Sequence, residues 1–340
     1  MEILISLVKI VVVMLALVTT VAYTVLLERK VAAAIQNRIG PNRVGWKGML
    51  QPLADVLKLL MKEDVVPREA NKFIHDLAPI ISISVALTTF AVVPFVDVIT
   101  LFGQSIKLQI ASVNIGILYI LALTSLGVYG VTLSGWSSNN KYSLLGGLRS
   151  SAQMISYELS MGVSIIGVVM IAGSLELDKI VAAQAGWSWN IFLQPIGFIT
   201  FVVSAFAETN RLPFDLPEAE PELVGGYHTE YSGLKFGLFF LAEYANMLTA
   251  SAIITTLYLG GWQVPFVHDL GLPDVWVSVL QIAGFCLKVG LLILFFIIVR
   301  WTIPRFRYDQ LMNLGWKVML PLALLNLILT GGAILLHWIP

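Results

Sequence analysis

The sequence predicts an all-α integral membrane protein, and three observations support this class. Of the 340 residues, 57% are hydrophobic and only 12% are charged, whereas an ordinary soluble domain has about 25% charged residues. The mean hydropathy of the chain is +0.84. In addition, eight segments contain enough apolar residues, about 20 each, to cross the ~30 Å hydrocarbon layer of a bilayer as helices.

These eight segments are the predicted transmembrane helices, and the fifth is the shortest. They cover residues 4–27, 77–97, 113–133, 151–173, 191–207, 236–258, 276–299 and 317–337. All the tryptophans except Trp46 lie near the predicted ends, where amphipathic rings settle at the membrane interface. We expect a single polytopic membrane domain over residues 1–340, whose first segment is a retained span rather than a signal peptide.

The basic residues predict the orientation of these helices. The odd-numbered loops contain 17 of the 21 Lys and Arg residues, and the even-numbered loops contain only Lys107 and Lys179. Because Lys and Arg are concentrated in cytoplasmic loops, the odd-numbered loops should face the cytoplasm. Both termini should then lie on the opposite side of the membrane.

The first loop contains one further predicted helix, in the segment QPLADVLKLLMKE (51–63). Its apolar residues recur at helical spacing on one face, and Asp55, Lys58 and Lys62 lie on the other. Pro52 is suited to the first turn of a helix. Since the segment is too short to span a bilayer, we expect an amphipathic helix that lies along the membrane surface or packs under a partner.

Glu158 and Glu243 are the two glutamates inside predicted spans. Each follows the predicted cytoplasmic start of its helix by seven residues, which at 1.5 Å per residue corresponds to a depth of ~10 Å. Ionised carboxylates are costly at such depth and usually mark ion or proton paths. The functional interpretation is proton handling by the two residues at one level, and the alternative is a hydrogen bond to a neighbouring helix or a partner subunit.

The loop between the fifth and sixth spans is rich in carboxylates. In the segment AETNRLPFDLPEAEPELVGGYHTEYSG (207–233), which we call the acidic loop, Arg211 is the only Lys or Arg residue. The six acidic residues are Glu208, Asp215, Glu218, Glu220, Glu222 and Glu230. Mutual repulsion and partial burial raise carboxylate pKa values toward neutral pH, so the loop is a candidate proton reservoir that continues into the bilayer through Glu158 and Glu243. A solvated surface that docks on a basic partner is the alternative.

Basic residues form a second candidate set. The segment ERKVAAAIQNRIGPNRVG (28–45) places Arg29 and Arg38 just beyond the first span, although anchoring of cytoplasmic loops explains most such charges without a site. Lys288, midway along the seventh span, requires a partner that the sequence does not identify.

Several classes of function are disfavoured. The net charge is +0, which gives no reason to expect nucleic-acid binding. The single cysteine, Cys286, cannot hold an iron–sulfur cluster alone, and the four histidines have no metal-binding spacing. The chain lacks a phosphate-binding loop, a dinucleotide fingerprint and a nucleophile elbow. Any redox centre is therefore expected in a partner.

Several motifs, occurring in order, resemble one known family along nearly the whole chain. They are ERKVAAAIQNRIGPNRVG, LQPLADVLKLLMKE, SYELSMG, the acidic loop and AEYANM. This pattern is similar to the H-type subunits of the proton-pumping NADH:quinone oxidoreductases, the respiratory complex I membrane subunits beside the quinone site. The resemblance implies a membrane subunit of an enzyme complex that is not catalytic alone.

The resemblance also implies roles for the candidate residues. Arg29, Arg38, Asp55 and Arg211 would belong to a quinone chamber, Arg211 by pairing with acids of the acidic loop. The eight carboxylates would couple quinone reduction to proton translocation. Quinone would be the substrate, and no flavin or iron–sulfur cluster would be bound by this chain. The implied partners are peripheral-arm iron–sulfur and quinone-site subunits, antiporter-like membrane subunits and the lipid of a bacterial plasma (inner) membrane.

Two other functions remain open. The membrane subunit of an ion-translocating hydrogenase or formate hydrogenlyase shares these helices but has no quinone substrate. A stand-alone proton-coupled transporter would also use buried carboxylates, but the chain lacks the internal repeat that is typical of that class.

Overall fold

The computed structural model describes residues 2–97, 99–101, 104–186, 188–217, 220–265, 267 and 273–337. Its α-helices are α1 (Glu2–Ile35), α2 (Gln51–Met61), α3 (Lys72–Thr89), α4 (Gly116–Ser137), α5 (Lys141–Ala172), α6 (Leu177–Ala183), α7 (Asn190–Leu193), α8 (Pro195–Glu208), α9 (Glu220–Leu223), α10 (Gly233–Tyr258), α11 (Asp274–Thr302), α12 (Tyr308–Asn313) and α13 (Leu320–Leu335). A π-helical segment, Leu314–Met319, joins the last two into one helical run. The prediction of an all-α membrane protein is confirmed.

Seven helices in the described residues are long and apolar enough to cross a membrane: α1, α3, α4, α5, α10, α11 and the run from α12 to α13. The remaining predicted span, 191–207, coincides with α7 and α8. Here the helix is interrupted at Gln194, because the ring of Pro195 disfavours helical geometry in the residue before it. The apolar helix that follows has only 14 residues, about 21 Å at 1.5 Å per residue.

Several helices extend beyond the predicted spans. Helix α5 begins at Lys141 instead of residue 151, and the side chain of Asn140 accepts a hydrogen bond from the backbone N–H of Tyr142. Asn71 caps α3 in the same way and sets its start before residue 77. Capping side chains satisfy the free N–H groups of a first turn. Polar turns of this kind have no apolar signal in the sequence, so these helices begin before the predicted spans.

The first loop contains the predicted surface helix α2, with a proline in its first turn. The apolar side chains of Leu53, Leu60 and Met61 are exposed. One element was not predicted: strands β1 (Ile99–Leu101) and β2 (Gln104–Ile106) form a short antiparallel hairpin in which Ile99 is opposite Ile106. The hairpin lies between α3 and α4 and leaves the helical class of the chain unchanged.

Helix α10 is the most buried of the membrane-spanning helices. Within its most apolar 18-residue window, 61% of the residues are buried, compared with 22% for α1. It contacts α1, α3, α8 and α11, and its residues Met247, Ile254 and Tyr258 are fully buried in the main hydrophobic core. The helix that contains Glu243 is therefore central in the bundle. The single domain over residues 1–340 stays a prediction.

Candidate functional site

A buried ion cluster is centred on Glu28, near the end of α1. Glu28 is 4% exposed, and its Oε2 accepts hydrogen bonds from Arg211 Nη1 (2.8 Å) and Tyr244 Oη (2.7 Å). Its other oxygen, Oε1, accepts from Arg300 Nη1 at 2.5 Å. Removal of a carboxylate from water is costly unless its oxygens are paired, and here both oxygens have charged donors. The cluster joins α1, the acidic loop, α10 and α11.

Arg211 extends this cluster to Glu243. Its Nε lies 2.5 Å from Glu243 Oε1, and its guanidinium lies 4.0 Å from the ring centroid of Tyr244. Burial alone would lower the pKa of Arg211, but Glu243, Tyr244 and Glu28 outweigh that effect and raise it. Arg211 is therefore a permanent positive charge between two carboxylates. The resemblance implied that it pairs with acids of the acidic loop, but in the described residues its partners are on α1 and α10.

Asp215 lies beside this cluster. Its Oδ2 is 2.7 Å from Arg305 Nη2, and a backbone hydrogen bond from Phe306 to the carbonyl of Pro213 holds the two chain segments together. Burial and the charge of Glu243 raise the pKa of Asp215 and Arg305 opposes them, with a net pKa of about 6. Asp215 thus titrates near neutral pH and responds to the charge on Glu243.

A cavity of about 80 Å³ lies between α3, α4, α5, α8 and α10. Because one water needs about 10–15 Å³ of such volume, the cavity has room for several waters. Two of the predicted carboxylates, Glu208 and Glu243, line it. The other polar lining residues are Ser82, Thr89, Thr124, Thr209, Asn210, Tyr227, Asn246 and Thr249, and the rest of the lining is apolar. The polar groups are suited to hold ordered water and to transfer protons within this largely apolar cavity.

Glu158 interacts with Glu208. One Glu158 oxygen accepts a hydrogen bond from Ser125 Oγ, and Glu208 interacts with the hydroxyl of Thr124 and with the charge of Glu158. Both hydroxyls belong to α4. Glu208 and Glu243 thus line the cavity, and Glu158 interacts with Glu208 without being part of the lining; the facing of Glu158 and Glu243 stays a prediction.

The other carboxylates of the acidic loop have separate partners. Glu222 forms an ion pair of 2.7 Å with Arg149 and remains half-exposed, and Glu230 accepts a hydrogen bond of 2.6 Å from Asn140. Glu218 and the side chain of Glu220 lie outside the described residues. Among the described acids, Glu208 and Asp215 therefore adjoin the buried site, whereas Glu222 and Glu230 contact the first turns of α5 and its cap.

The predicted chamber residues of the first loop lie at the surface. Arg29 Nη1 donates to Asp55 Oδ2 at 2.6 Å, and Gln51 donates to the other oxygen of Asp55. These contacts fix the start of α2 against the end of α1. Arg38 is exposed and donates to Gln36. Arg29 is adjacent in sequence to Glu28, so the surface pair and the buried cluster share one turn of α1.

The end of α2 is attached to the start of α10. Ser232 Oγ accepts a hydrogen bond from the backbone of Val65 at 3.0 Å, and Lys235 Nζ lies 2.7 Å from Asp64 and 2.6 Å from Asp76. Gly233 has φ +53°, and a Cβ there would lie 3.1 Å from a carbonyl oxygen of the first loop. The surface helix is therefore connected to the helix that contains Glu243.

Sequence reasoning grouped Glu28, Arg300 and Arg305 with the charges that anchoring of cytoplasmic loops mostly explains, and it gave no role to Tyr244. Each is adjacent to a feature that it did single out: Glu28 precedes Arg29, Tyr244 follows Glu243, and the two arginines flank the end of the seventh span. The signal in the sequence that could have identified these residues was their position next to a candidate charged residue or at the end of a predicted span. Within the described residues, no group of three or more His, Cys, Asp or Glu side chains is arranged to hold a metal.

Together, the helices, the ion cluster and the polar cavity define a polytopic membrane protein with linked buried carboxylates. A family model described as NADH dehydrogenase matches residues 8–331. The chain is 53% identical over 314 residues to an H-type subunit of the NADH-quinone oxidoreductase of Cytophaga hutchinsonii, covering 92% of each chain. It is 55% identical to NADH-quinone oxidoreductase subunit 8 of Rhodothermus marinus, again over 92% of each, and 52% identical to an H-type subunit of Geobacter metallireducens over 99% of this chain and 98% of the relative.

The chain belongs to the NADH dehydrogenase family and, within it, to the H-type subunits of NADH-quinone oxidoreductase. The resemblance stated from the sequence motifs is confirmed. These relatives are named as subunits of an enzyme complex, in agreement with the prediction that the chain is one subunit of an oxidoreductase.

Proposed function

We propose that this chain is the membrane subunit of a proton-pumping NADH:quinone oxidoreductase that contributes to the quinone chamber and couples quinone reduction to proton translocation. The observation that supports this most directly is Glu243, which lines the polar cavity and contacts Arg211 of the ion cluster. A change of charge at the cluster therefore acts directly on a carboxylate at the cavity.

The coupling follows from the order of the contacts. Quinone reduction consumes protons and changes the charge near the acidic loop. Asp215, whose pKa is raised to about 6, is suited to respond at physiological pH. Its change of charge acts on Glu243, and water in the cavity would connect Glu243 with Glu208, whose carboxylate interacts with the charge of Glu158. Antiporter-like membrane subunits receive the resulting change.

The first loop supplies the quinone side of this arrangement. The end of α1, the surface helix α2 and the acidic loop form the cytoplasmic mouth of the chamber, where Arg29, Arg38 and Asp55 are accessible to a quinone headgroup or to peripheral-arm subunits. The chamber would border the ion cluster at α1, where Glu28 and Arg29 are consecutive residues. The protein is then a multi-pass component of a bacterial plasma membrane with this face in the cytoplasm.

The test compares two electron acceptors in membranes that contain the assembled complex. Glu208→Gln and Glu243→Gln should each reduce quinone-linked NADH oxidation at least tenfold, because the neutral amide cannot exchange a proton. Electron transfer from NADH to a water-soluble artificial acceptor should continue, since it does not require the membrane subunit. Glu69→Gln, at an exposed first-loop carboxylate, is the matched control and should behave as wild type.

Full quinone-linked activity in both buried variants would contradict the coupling path. A photoreactive quinone provides a separate test of the chamber, because label is expected in the first loop or in residues 208–230. Label confined to other segments would contradict the chamber assignment and leave the proton path to be judged by the first experiment.

A further inference from the structure

Lys288, the membrane lysine without an obvious partner in the sequence, donates to three backbone carbonyls. Its Nζ lies 2.7 Å from the carbonyl oxygen of Leu259, 3.0 Å from that of Gly261 and 2.7 Å from that of Gln263. An ammonium group has three N–H donors. All three therefore have an acceptor, and all the acceptors belong to the turn that follows α10.

The carbonyls face Lys288 because of the geometry of this turn. Gly260 and Gly261 both have positive φ, +74° and +52°, a conformation that glycine adopts without strain. The N–H of Gly260 is directed the other way, to the side-chain oxygen of Gln184 at 3.0 Å. Gln184 thus accepts from this N–H and Lys288 donates to three carbonyls of the turn, while the N–H groups of Leu259 and Gly261 donate to the carbonyl of Thr255 in α10.

Close packing holds this turn against three other segments. A Cβ on Gly260 would lie 2.8 Å from Trp189, and one on Gly261 would lie 2.6 Å from Val181 of α6. On α11, a Cβ on Gly284, one helical turn before Lys288, would lie 2.5 Å from Val264. The glycines therefore allow the turn to approach Lys288, and a larger residue at any of the three would displace it.

An aromatic face adds to the attraction for a cation. Lys288 Nζ lies 4.5 Å from the ring centroid of Trp189, within the range of a cation–π interaction. No acidic side chain in the described part of the chain forms an ion pair with Lys288. The positive charge is therefore balanced by carbonyl dipoles, including Leu259 at the C-terminal end of α10, where the helix dipole is negative.

We propose that residues 259–263, together with the ring of Trp189, form a binding site for a primary ammonium ion, and that its native occupant is the side chain of Lys288. Carbonyl groups and aromatic faces are general ligands for monovalent cations. The site connects the end of α10 to the middle of α11 and supplies donors to carbonyls that would otherwise be unpaired in a non-helical segment between two membrane helices.

The test replaces the tethered ion with a free one in the assembled complex. Lys288→Ala removes three methylene groups and the ammonium group, which n-propylammonium replaces. Hydrogen–deuterium exchange of residues 259–263, measured by mass spectrometry, should become about tenfold faster in this variant, because the turn loses the donors that hold it. n-Propylammonium should restore most of the protection, and tetramethylammonium, which has no N–H donor, should not.

Two further variants complete the test. Lys179→Ala removes a mainly exposed lysine of α6 that pairs with Glu176 and should leave the exchange of residues 259–263 unchanged. Lys288→Arg keeps the charge, but a planar guanidinium does not match a site built for an ammonium group, so exchange should again be faster. Wild-type exchange rates in both Lys288 variants, or equal protection by the two added ions, would overturn the proposal.

Discussion

The carboxylate of Glu28 accepts a hydrogen bond of 2.8 Å from the guanidinium of Arg211, although the two residues are 183 positions apart in the chain. Each is almost completely shielded from solvent: the side chains are 5% and 2% exposed. Because Arg211 also contacts Glu243, this one pair connects the C-terminal part of α1 to the cavity-lining face of α10.

Glu28→Gln should destabilise the protein. The variant leaves Arg211 and Arg300 with one buried carboxylate fewer, and loss of one partner of a buried ion pair costs about 3–5 kcal/mol. The temperature at which this subunit precipitates from detergent extracts should fall by several degrees. Glu69→Gln should leave it unchanged, and an equal loss in the two variants would argue against a stabilising role for the cluster.

Asp215 should give a pH-dependent contribution to stability. Its folded-state pKa of about 6 exceeds the ordinary value of 3.8, so the folded state binds this proton more tightly than the unfolded state. The stability of wild type relative to Asp215→Asn should therefore fall as the pH rises from about 4 to about 6 and stay constant above that.

The same carboxyl provides a spectroscopic check. Infrared spectra at pH 5 should contain a carboxylic acid C=O band that is absent from Asp215→Asn and disappears from wild type with a midpoint near pH 6. An Asp215 that remains ionised down to pH 4 would show that the contact with Arg305 dominates over burial.

Glycines 146 and 162 of α5 should respond differently to the same substitution. A Cβ on Gly146 would lie 2.8 Å from backbone atoms of Gly226 and Tyr227, whereas one on Gly162 meets no atom within 4 Å. Gly146→Ala should cost about 1–3 kcal/mol through overpacking. Gly162→Ala should be neutral or stabilising by up to about 1 kcal/mol, since alanine favours helices.

The amount of assembled complex on native gels, together with its thermal inactivation, measures both glycine variants. Comparable losses of assembled complex in the two variants would mean that α5 does not approach residues 226–227 as closely as in this structure.

The pair of Arg29 and Asp55 should matter more for activity than for stability. Their side chains are 44% and 30% exposed, and exposed ion pairs contribute about 0.2–1 kcal/mol. Asp55→Asn should therefore change thermal stability little but raise the KM for quinone, because α2 loses a contact that positions it against α1. An unchanged KM, with normal assembly, would separate this pair from the chamber.

The sequence predicted the helical frame well for a physical reason. Apolar length and the positions of Lys, Arg and Trp are local properties, and the bilayer constrains them directly. The helix ends were less accurate because caps such as Asn140 extend helices through polar turns. The interruption of the helix at Gln194 was not predicted, although the sequence shows Pro195 directly after it. The apolar content of residues 191–207 was given more weight than the proline.

The site was only partly predictable because its contacts are distant in sequence. Glu158, Glu208 and Glu243 were found as charges in apolar surroundings. The partners of Glu28 are 183, 216 and 272 positions away, and no local pattern encodes such pairing. The number of acids in the loop suggested one continuous row, but Glu222 is paired with Arg149, which is a matter of tertiary geometry.

The contacts of Arg211 also determine how the acidic loop can move. Because Glu28 and Glu243 hold Arg211, and Arg305 holds Asp215, the first part of the loop is stationary relative to the helices. The far end of the loop is also attached, through Glu230 to Asn140 and through Ser232 to Val65. Any rearrangement must therefore be confined to the segment between these two attachments. The contact between Glu222 and Arg149, which is partly open to solvent, is the one in that segment that such a rearrangement would break first.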